Sequence, residues 1–346
     1  MKVFKELLVS EVIEETADTR SLVLQPLGAE DTVFWEAGQF LTLVFPHALG
    51  EDRRSYSLSS VPALGEPLCI TVKRIPNGAY SRVLTDKVQP GDRLLSIGAS
   101  GFFILPQDPY QYRQYFFFAA GSGITPVIAM ITTLLYRHPG IPVTLIYSNR
   151  SAGETIFYRQ LQQLREQFSD RFRIEFLFSS SKNLGRARLS KWLMPQLLRE
   201  YRLCPPEQAM HYTCGPFEYM RMTGIVLTDE GVPAAQIRKE DFQPLQLVPK
   251  ALPPDTAPHQ LTLKLGGQEY HLQVQYPDTI LKAAKKAGIP LPYSCEAGRC
   301  GTCVARCDSG RVWMSYNEVL LDEELAAGRV LTCTGYIYGG DAGLSV

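Results

Sequence analysis

Pro292-Tyr-Ser-Cys-Glu-Ala-Gly-Arg-Cys-Gly-Thr-Cys303 sets Cys295, Cys300 and Cys303 in a C-x4-C-x2-C run, and Cys333 follows thirty residues beyond Cys303. Two iron atoms bridged by sulfide take four thiolates from two places in the chain, three of them from one tight loop. Gly298 and Gly301 suit a loop whose backbone must bend and come close to inorganic sulfide. A Cys-x2-Cys pair alone would point to zinc, but structural zinc sites usually pair two such knuckles, and Cys333 stands alone. The spacing predicts a [2Fe–2S] cluster on Cys295, Cys300, Cys303 and Cys333, with a zinc or vestigial site as the alternative.

Around this loop, Leu261-Thr-Leu-Lys-Leu and Tyr270-His-Leu-Gln-Val flank Gly266-Gly267 as a hairpin. A helix over 279–287 stops at Gly288-Ile-Pro290, and a short helix precedes Cys333. This layout, with the Leu331-Thr332-Cys333 approach, resembles the plant-type ferredoxins, which implies an α+β, β-grasp-like domain over 259–346. Asp322-Glu323-Glu324 reads first as a solvated helix start; in ferredoxins acidic surface here commonly meets a partner. Pro244, Pro249, Pro253, Pro254 and Pro258 mark an extended, semi-rigid linker, assigned to 246–258.

The chain has 346 residues, which predicts two or three domains. Its 35 basic and 35 acidic residues show no run of like charge, so nothing points to nucleic acid or an anionic membrane surface. Eight cysteines, four with a use already, are not a disulfide scaffold, and iron-ligating thiolates suit a reducing compartment. The start, Met1-Lys-Val-Phe-Lys-Glu-Leu-Leu, has no apolar signal core. The apolar stretch 115–135 is broken by Gly121-Ser122-Gly123 and Thr125-Pro126, so it reads as strand, turn and helix and not as a membrane span. The expectation is a soluble, cytoplasmic protein.

Residues 1–108 alternate short apolar segments with Gly and Pro turns, as in an antiparallel β-barrel. Two places stand out. In Arg54-Ser55-Tyr56-Ser57-Leu58, Arg54 and Tyr56 share one strand face and Ser57 takes the other. Val72-Lys73-Arg74 leads to Gly78-Ala79-Tyr80-Ser81, where a helix start at Ser81 would offer unpaired amides to phosphate.

Residues 109–245 switch to strand–helix alternation, the sign of a parallel α/β sheet. Phe116-Phe-Phe-Ala-Ala120 and Val143-Thr-Leu-Ile-Tyr147 are apolar throughout, as strands covered on both faces should be. Ser151 and Glu154 predict a capping box for a helix with Phe157, Leu161, Leu164 and Phe168 on one stripe. Gly121-Ser122-Gly123-Ile124-Thr125-Pro126 and Cys214-Gly215-Pro216 both lie between a strand end and a helix, where open α/β sheets bind ligands. Neither is the G-x-G-x-x-G of ordinary dehydrogenases. Cys69, Cys204 and Cys307 read as packing thiols, Cys307 as strand core.

Taken in order, these segments resemble the ferredoxin–NADP reductase superfamily. The resemblance implies Arg54 on the flavin phosphate, Tyr56 packed on the ring system and Ser57 near the nitrogen that receives hydride. Leu58, Val72, Lys73, Gly78, Ala79, Tyr80 and Ser81 would complete the flavin site, with Gly78 to Ser81 cradling the FAD diphosphate; FMN is the alternative. Gly121, Gly123, Thr125, Pro126, Gly215 and Pro216 would approach the nicotinamide nucleotide, with Cys214 beside the nicotinamide ring and Glu240 near the flavin. Ser148, Asn149 and Arg150 would lie near the 2′-phosphate of NADPH, and the arginine leans that way, with NADH still open. The order of flavin, nucleotide and ferredoxin parts is similar to that of the reductase components of bacterial oxygenases, phenylacetyl-CoA epoxidase among them. It implies electron flow from NAD(P)H to flavin, then to the cluster, then to a di-iron or Rieske oxygenase. Ser57, Cys214 and Glu240 would position the reacting rings. A small-molecule ferric or flavin reductase and a redox sensor without turnover are the other readings.

Overall fold

Apolar side chains at every second position bury one face of each strand in the first third of the chain. In the computed structural model, which describes residues 4–48, 50–242 and 252–346, these strands are β1 (Lys5–Thr16), β2 (Thr19–Pro26), β3 (Phe40–His47), β4 (Gly50–Ser57), β5 (Leu68–Lys73) and β6 (Arg93–Ser100). They form one antiparallel sheet in the order β4-β3-β6-β1-β2-β5, and a bridge between Leu58 and Ile70 joins its two edges into a barrel. Leu7, Leu22, Leu24, Leu41, Leu43, Ile70 and Val72 fill the interior. Helix α1 (Ala79–Asp86) starts two residues before the expected Ser81. The Ser81 hydroxyl turns back to accept from the Ile75 amide at 3.1 Å, which draws the chain into its first turn early.

The middle of the chain is a parallel sheet of β7 (Gln114–Ala120), β8 (Val143–Asn149), β9 (Phe172–Phe178), β10 (Ala209–Cys214) and β11 (Ile237–Glu240), in the order β11-β10-β7-β8-β9. The crossovers are α2 (Ile124–Arg137), α3 (Tyr158–Gln167), α4 (Leu193–Tyr201) and α5 (Phe217–Asp229). Two apolar cores flank the sheet. Tyr115, Phe117 and Ala119 join the core under α2 and α3, and Phe116 and Phe118 join the one under α4 and α5, which is why the β7 run is apolar at every position. The stretch 115–135 is thus a strand, a turn and most of α2, and among the described residues no helix is long and apolar enough to cross a membrane.

The capping box does not form as expected. Ser151 and Glu154 enclose a short turn, their side chains 3.4 Å apart, and α3 begins later, after Phe157 in a left-handed conformation with φ of 59°. Burial of Phe157, Leu161 and Leu164 fixes the helix and overrides the local cap signal.

The last third holds β12 (His259–Leu265), β13 (Gln268–Val274), α6 (Ile280–Lys286), β14 (Val304–Ser309), β15 (Val312–Met314), α7 (Asp322–Ala326), β16 (Arg329–Leu331), β17 (Gly335–Ile337) and β18 (Ala342–Ser345). The sheet order is β13-β12-β18-β14-β16, with β15-β17 as a separate ribbon. Thr279 caps α6 by accepting from the Lys282 amide. Of the proline linker, residues 246–251 lie outside the described residues; Asp255 in its later part accepts from the amides of Ala257 and Gly339. Cys307 is only partly buried and packs at the margin of this domain's core.

Candidate active site

The cysteine loop runs from the end of α6 to the start of β14. Pairing of Val304 with Leu331 brings Cys303, just before β14, beside Cys333, just after β16. The Thr332 amide donates to the Cys303 carbonyl at 3.1 Å. Cys295 and Cys300 meet within the loop, where the Cys295 amide points to Sγ of Cys300 at 3.5 Å and the Ala297 amide to Sγ of Cys295 at 3.4 Å. The thiols therefore fall into two pairs. Hydrogen bonding from Cys300 pulls the Cys295 thiol down to about 6, and bonding from Cys333 lowers Cys303; the donating thiols Cys300 and Cys333 are pushed up in return. Among the described residues no three Cys, His, Asp or Glu side chains gather as ligands of one ion. Three thiols from one loop and a fourth from the strand end beside it, grouped as two pairs, fit the four ligands of a binuclear cluster.

On β4, Arg54 is exposed with its guanidinium 4.9 Å from the Tyr80 ring, and the Tyr80 hydroxyl donates to Asp52. Burial holds the Tyr56 phenol protonated, well above its ordinary range. The Ser81 hydroxyl packs against Gly78 so closely that a Cβ there would lie 2.3 Å from it, which calls for glycine at the start of α1. A helix start with no side-chain cap, beside the exposed Arg54 guanidinium that also donates to the Arg53 carbonyl at 2.7 Å, fits a flavin phosphate. Val72 and Leu58 lie in the barrel core, and Lys73 is 3.4 Å from Asp18, so of these three only the lysine presents a polar group.

At the mouth of the parallel sheet, the turn 121–123 packs directly on the strand end at Cys214. A Cβ on Gly123 would sit 2.0 Å from the Cys214 carbonyl oxygen, so only glycine allows the two loops to touch. The Tyr147 hydroxyl donates to the Gly121 carbonyl at 2.9 Å and the Tyr219 hydroxyl to the Ala119 carbonyl at 3.2 Å, pinning the turn from both sides. Thr125 is buried, with its hydroxyl on the Ser122 carbonyl, and Pro126 is buried behind it. Ser148 and Asn149 end β8; Arg150 follows, 78% exposed, with Glu154 3.8 Å away.

Glu240 connects the two halves. It pairs in register with Cys214 across β10 and β11, and the Ser57 hydroxyl donates to its Oε2 at 3.5 Å. Burial raises the Glu240 carboxyl to about 8 against the opposing effect of Ser57, so it holds its proton at neutral pH. Burial keeps Cys214 a thiol. Ser57, Cys214 and Glu240 thus come together from two domains as neutral hydrogen-bonding groups.

The cluster loop also reaches this junction. Arg299, 11% exposed, lies 3.5 Å from Asp241 and 2.9 Å from Glu318. Sequence reading missed Arg299 and Asp241; an arginine between ligand cysteines carries no sign of a partner 58 positions upstream.

Comparison with known proteins fits this geometry. An oxidoreductase FAD-binding domain model matches 6–104, an oxidoreductase NAD-binding domain model 117–224 and a 2Fe-2S iron-sulfur cluster binding domain model 263–338. The ferredoxin reductase component of 3-ketosteroid-9-alpha-monooxygenase from Mycolicibacterium smegmatis is 33% identical over 341 residues, covering 95% of this chain and 93% of that protein. The chain belongs to the ferredoxin–NADP reductase-like family whose members carry a [2Fe–2S] domain. A component of the 1,2-phenylacetyl-CoA epoxidase from Escherichia coli K12 is 31% identical over 344 residues, covering 96% of this reductase and 95% of that protein. The crystal structure of phthalate dioxygenase reductase shares the fold, with a TM-score of 0.61 at 22% identity over 99% of this chain and 98% of that one. The reductase is an oxidoreductase with FAD, NAD(P) and [2Fe–2S] domains.

Proposed function

We propose that the reductase takes electrons from NAD(P)H and delivers them singly, through FAD and its cluster, to an oxygenase of the di-iron or Rieske type. In this reading the parts are 1–108 for flavin, 109–245 for nucleotide, 246–258 for linker and 259–346 for the cluster. The observation that carries it is convergence: Ser57, Cys214 and Glu240 meet at the strand ends where the cluster loop also arrives through Arg299 and Asp241. Bound flavin accepts electrons in pairs and releases them one at a time, which matches nicotinamide to a one-electron cluster.

The chain's own residues do the rest. Gly78 to Ser81 and Arg54 hold the flavin's phosphates, and Tyr56 covers its ring. The turn 121–126 and Cys214-Gly215-Pro216 seat the nicotinamide nucleotide. Ser57 and protonated Glu240 orient neutral hydrogen bonds at the reacting rings while buried Cys214 excludes water. Cys295, Cys300, Cys303 and Cys333 would hold the cluster, the first two as one pair and the last two as the other. Arg150 is open to a 2′-phosphate, which favours NADPH. Iron-ligating thiolates support a cytoplasmic location. The oxygenase comes from the relatives, of which one is a monooxygenase component and another belongs to an epoxidase.

The test is Cys300→Ser. NAD(P)H-dependent ferricyanide reduction should survive while cytochrome c reduction collapses. Loss of neither rate would favour a small-molecule reductase, and absence of both rates in the unmodified protein would favour a sensor. If the reduced protein passed electrons to no oxygenase encoded beside it, the partner would drop out of the reading.

A further inference from the structure

Strand β4 has two faces with different neighbours. Counting by two, Asp52, Arg54 and Tyr56 project to one side, and Glu51, Arg53, Ser55 and Ser57 to the other. The first side meets Tyr80 of α1. The second meets the cluster loop, some 240 residues away in sequence. Arg53 Nη1 donates to the Tyr293 carbonyl at 3.0 Å, and its guanidinium lies 3.6 Å over the Tyr293 ring. The Ser55 and Ser294 hydroxyls are 2.7 Å apart, and the Tyr293 hydroxyl donates to Glu51 at 3.4 Å.

Arg53 is fully engaged. Its Nε donates to Glu51 at 2.8 Å, its Nη2 lies 2.6 Å from the same carboxylate, and its side chain is only 9% exposed. Each of its three nitrogens has an acceptor, as a guanidinium this little exposed needs if it is to stabilise a contact. The Tyr293 ring has a second cation beside it, Lys285 Nζ at 4.1 Å, which Glu296 holds at 3.0 Å. Two cations on one partly buried ring, with the hydrogen bonds beside them, tie the loop to β4 at several points. The far end of the loop rests on the first domain as well. The hydroxyls of Ser100 and Thr302 are 3.0 Å apart, and the Phe102 ring lies so close to Gly301 that a Cβ there would come within 2.5 Å of it.

We propose that the Glu51–Arg53–Ser55 face of β4 is an internal docking surface for the cluster loop, and that Arg53 is its positioning residue. The strand that carries Arg54 and Tyr56 toward the flavin on one side carries the cluster loop on the other, so both groups are referenced to one rigid backbone. This rests on the proposed function, because it takes the two faces to serve flavin and cluster.

The test uses the full-length holoprotein with R53E and R53K. In R53E a carboxylate meets Glu51 and the cation leaves Tyr293, so small-angle X-ray scattering should show a larger radius of gyration. Flavin and cluster content and the ferricyanide rate should stay unchanged while cytochrome c reduction falls roughly tenfold. R53K should recover most of the compactness and rate. Unchanged scattering and unchanged cytochrome c reduction in R53E would overturn the proposal. A parallel fall in ferricyanide rate or flavin content would overturn it too, by assigning Arg53 to the flavin site. Wild-type protein lacking cluster absorbance would instead overturn the proposed function, and the scattering comparison would still decide the docking surface.

Discussion

The Ser57 hydroxyl lies 3.5 Å from Oε2 of Glu240, joining the last residue of a barrel strand to the last residue of the parallel sheet. The pair works with a carboxylic acid because burial lifts Glu240 to about 8. The linkage sign follows from that direction. An unfolded glutamate loses its proton near 4.5, so between that pH and about 8 the folded chain binds more protons and loses stability as pH rises. Glu240→Gln removes the charge, and its melting temperature should exceed that of the parent above pH 8 and converge with it below pH 4.5, on the scale of at least ~1 kcal/mol. Parallel melting curves across pH would show that Glu240 titrates freely.

Cys214 should behave as an unreactive thiol that nonetheless matters for rate. Fully buried and held well above the ordinary thiol range, it should resist iodoacetamide at pH 8 in the folded protein, as mass mapping of the eight cysteines would reveal. Cys214→Ala should lower the NAD(P)H-to-ferricyanide kcat by roughly 10- to 100-fold, with a smaller change in KM. Rapid alkylation would contradict the burial that the site depends on.

Local signals in the chain were enough for the cysteine loop, the alternating barrel strands and the apolar β7 run, since each follows from spacing within a few residues. The Ser151–Glu154 box was legible and misleading, because burial of Phe157 and Leu161 sets where α3 begins. Ser57 with Glu240 and Arg53 with Tyr293 could not be read as pairs: they are 183 and 240 positions apart, and only the docking of whole domains joins them. A partial signal did exist in the Arg53-Arg54 doublet. If Arg54 faces the flavin, strand geometry turns Arg53 the opposite way and asks for a partner there.

Gly123→Ala tests how tightly the two nucleotide loops are built. The new methyl would start 2.0 Å from the Cys214 carbonyl oxygen and 2.9 Å from the Gly215 amide nitrogen, both backbone atoms that cannot rotate away. One loop must move, at a cost of about 1–3 kcal/mol. The variant should melt several degrees lower and show a raised KM for NAD(P)H, with flavin content intact. Unaltered nucleotide binding would mean that the turn does not shape the site.

Asp255 anchors the end of the linker to the cluster domain. It accepts from the Ala257 amide at 2.8 Å, the Gly339 amide at 3.0 Å and the His259 ring at 2.8 Å, and the two amides, followed by His259, hold its carboxyl down at about 2. A depressed carboxyl contributes stability above its unfolded value and loses it as pH falls through the folded one. The anchoring should therefore be complete at neutral pH and fade between about pH 4 and 2. Asp255→Ala removes the acceptor for both amides. At pH 7 it should speed amide exchange at Ala257 and Gly339 and make the stretch 252–258 easier to cleave, while the cysteine loop exchanges as in the parent. Equal exchange at Gly339 in parent and variant would show that the carboxylate does not hold the linker to the β17–β18 turn.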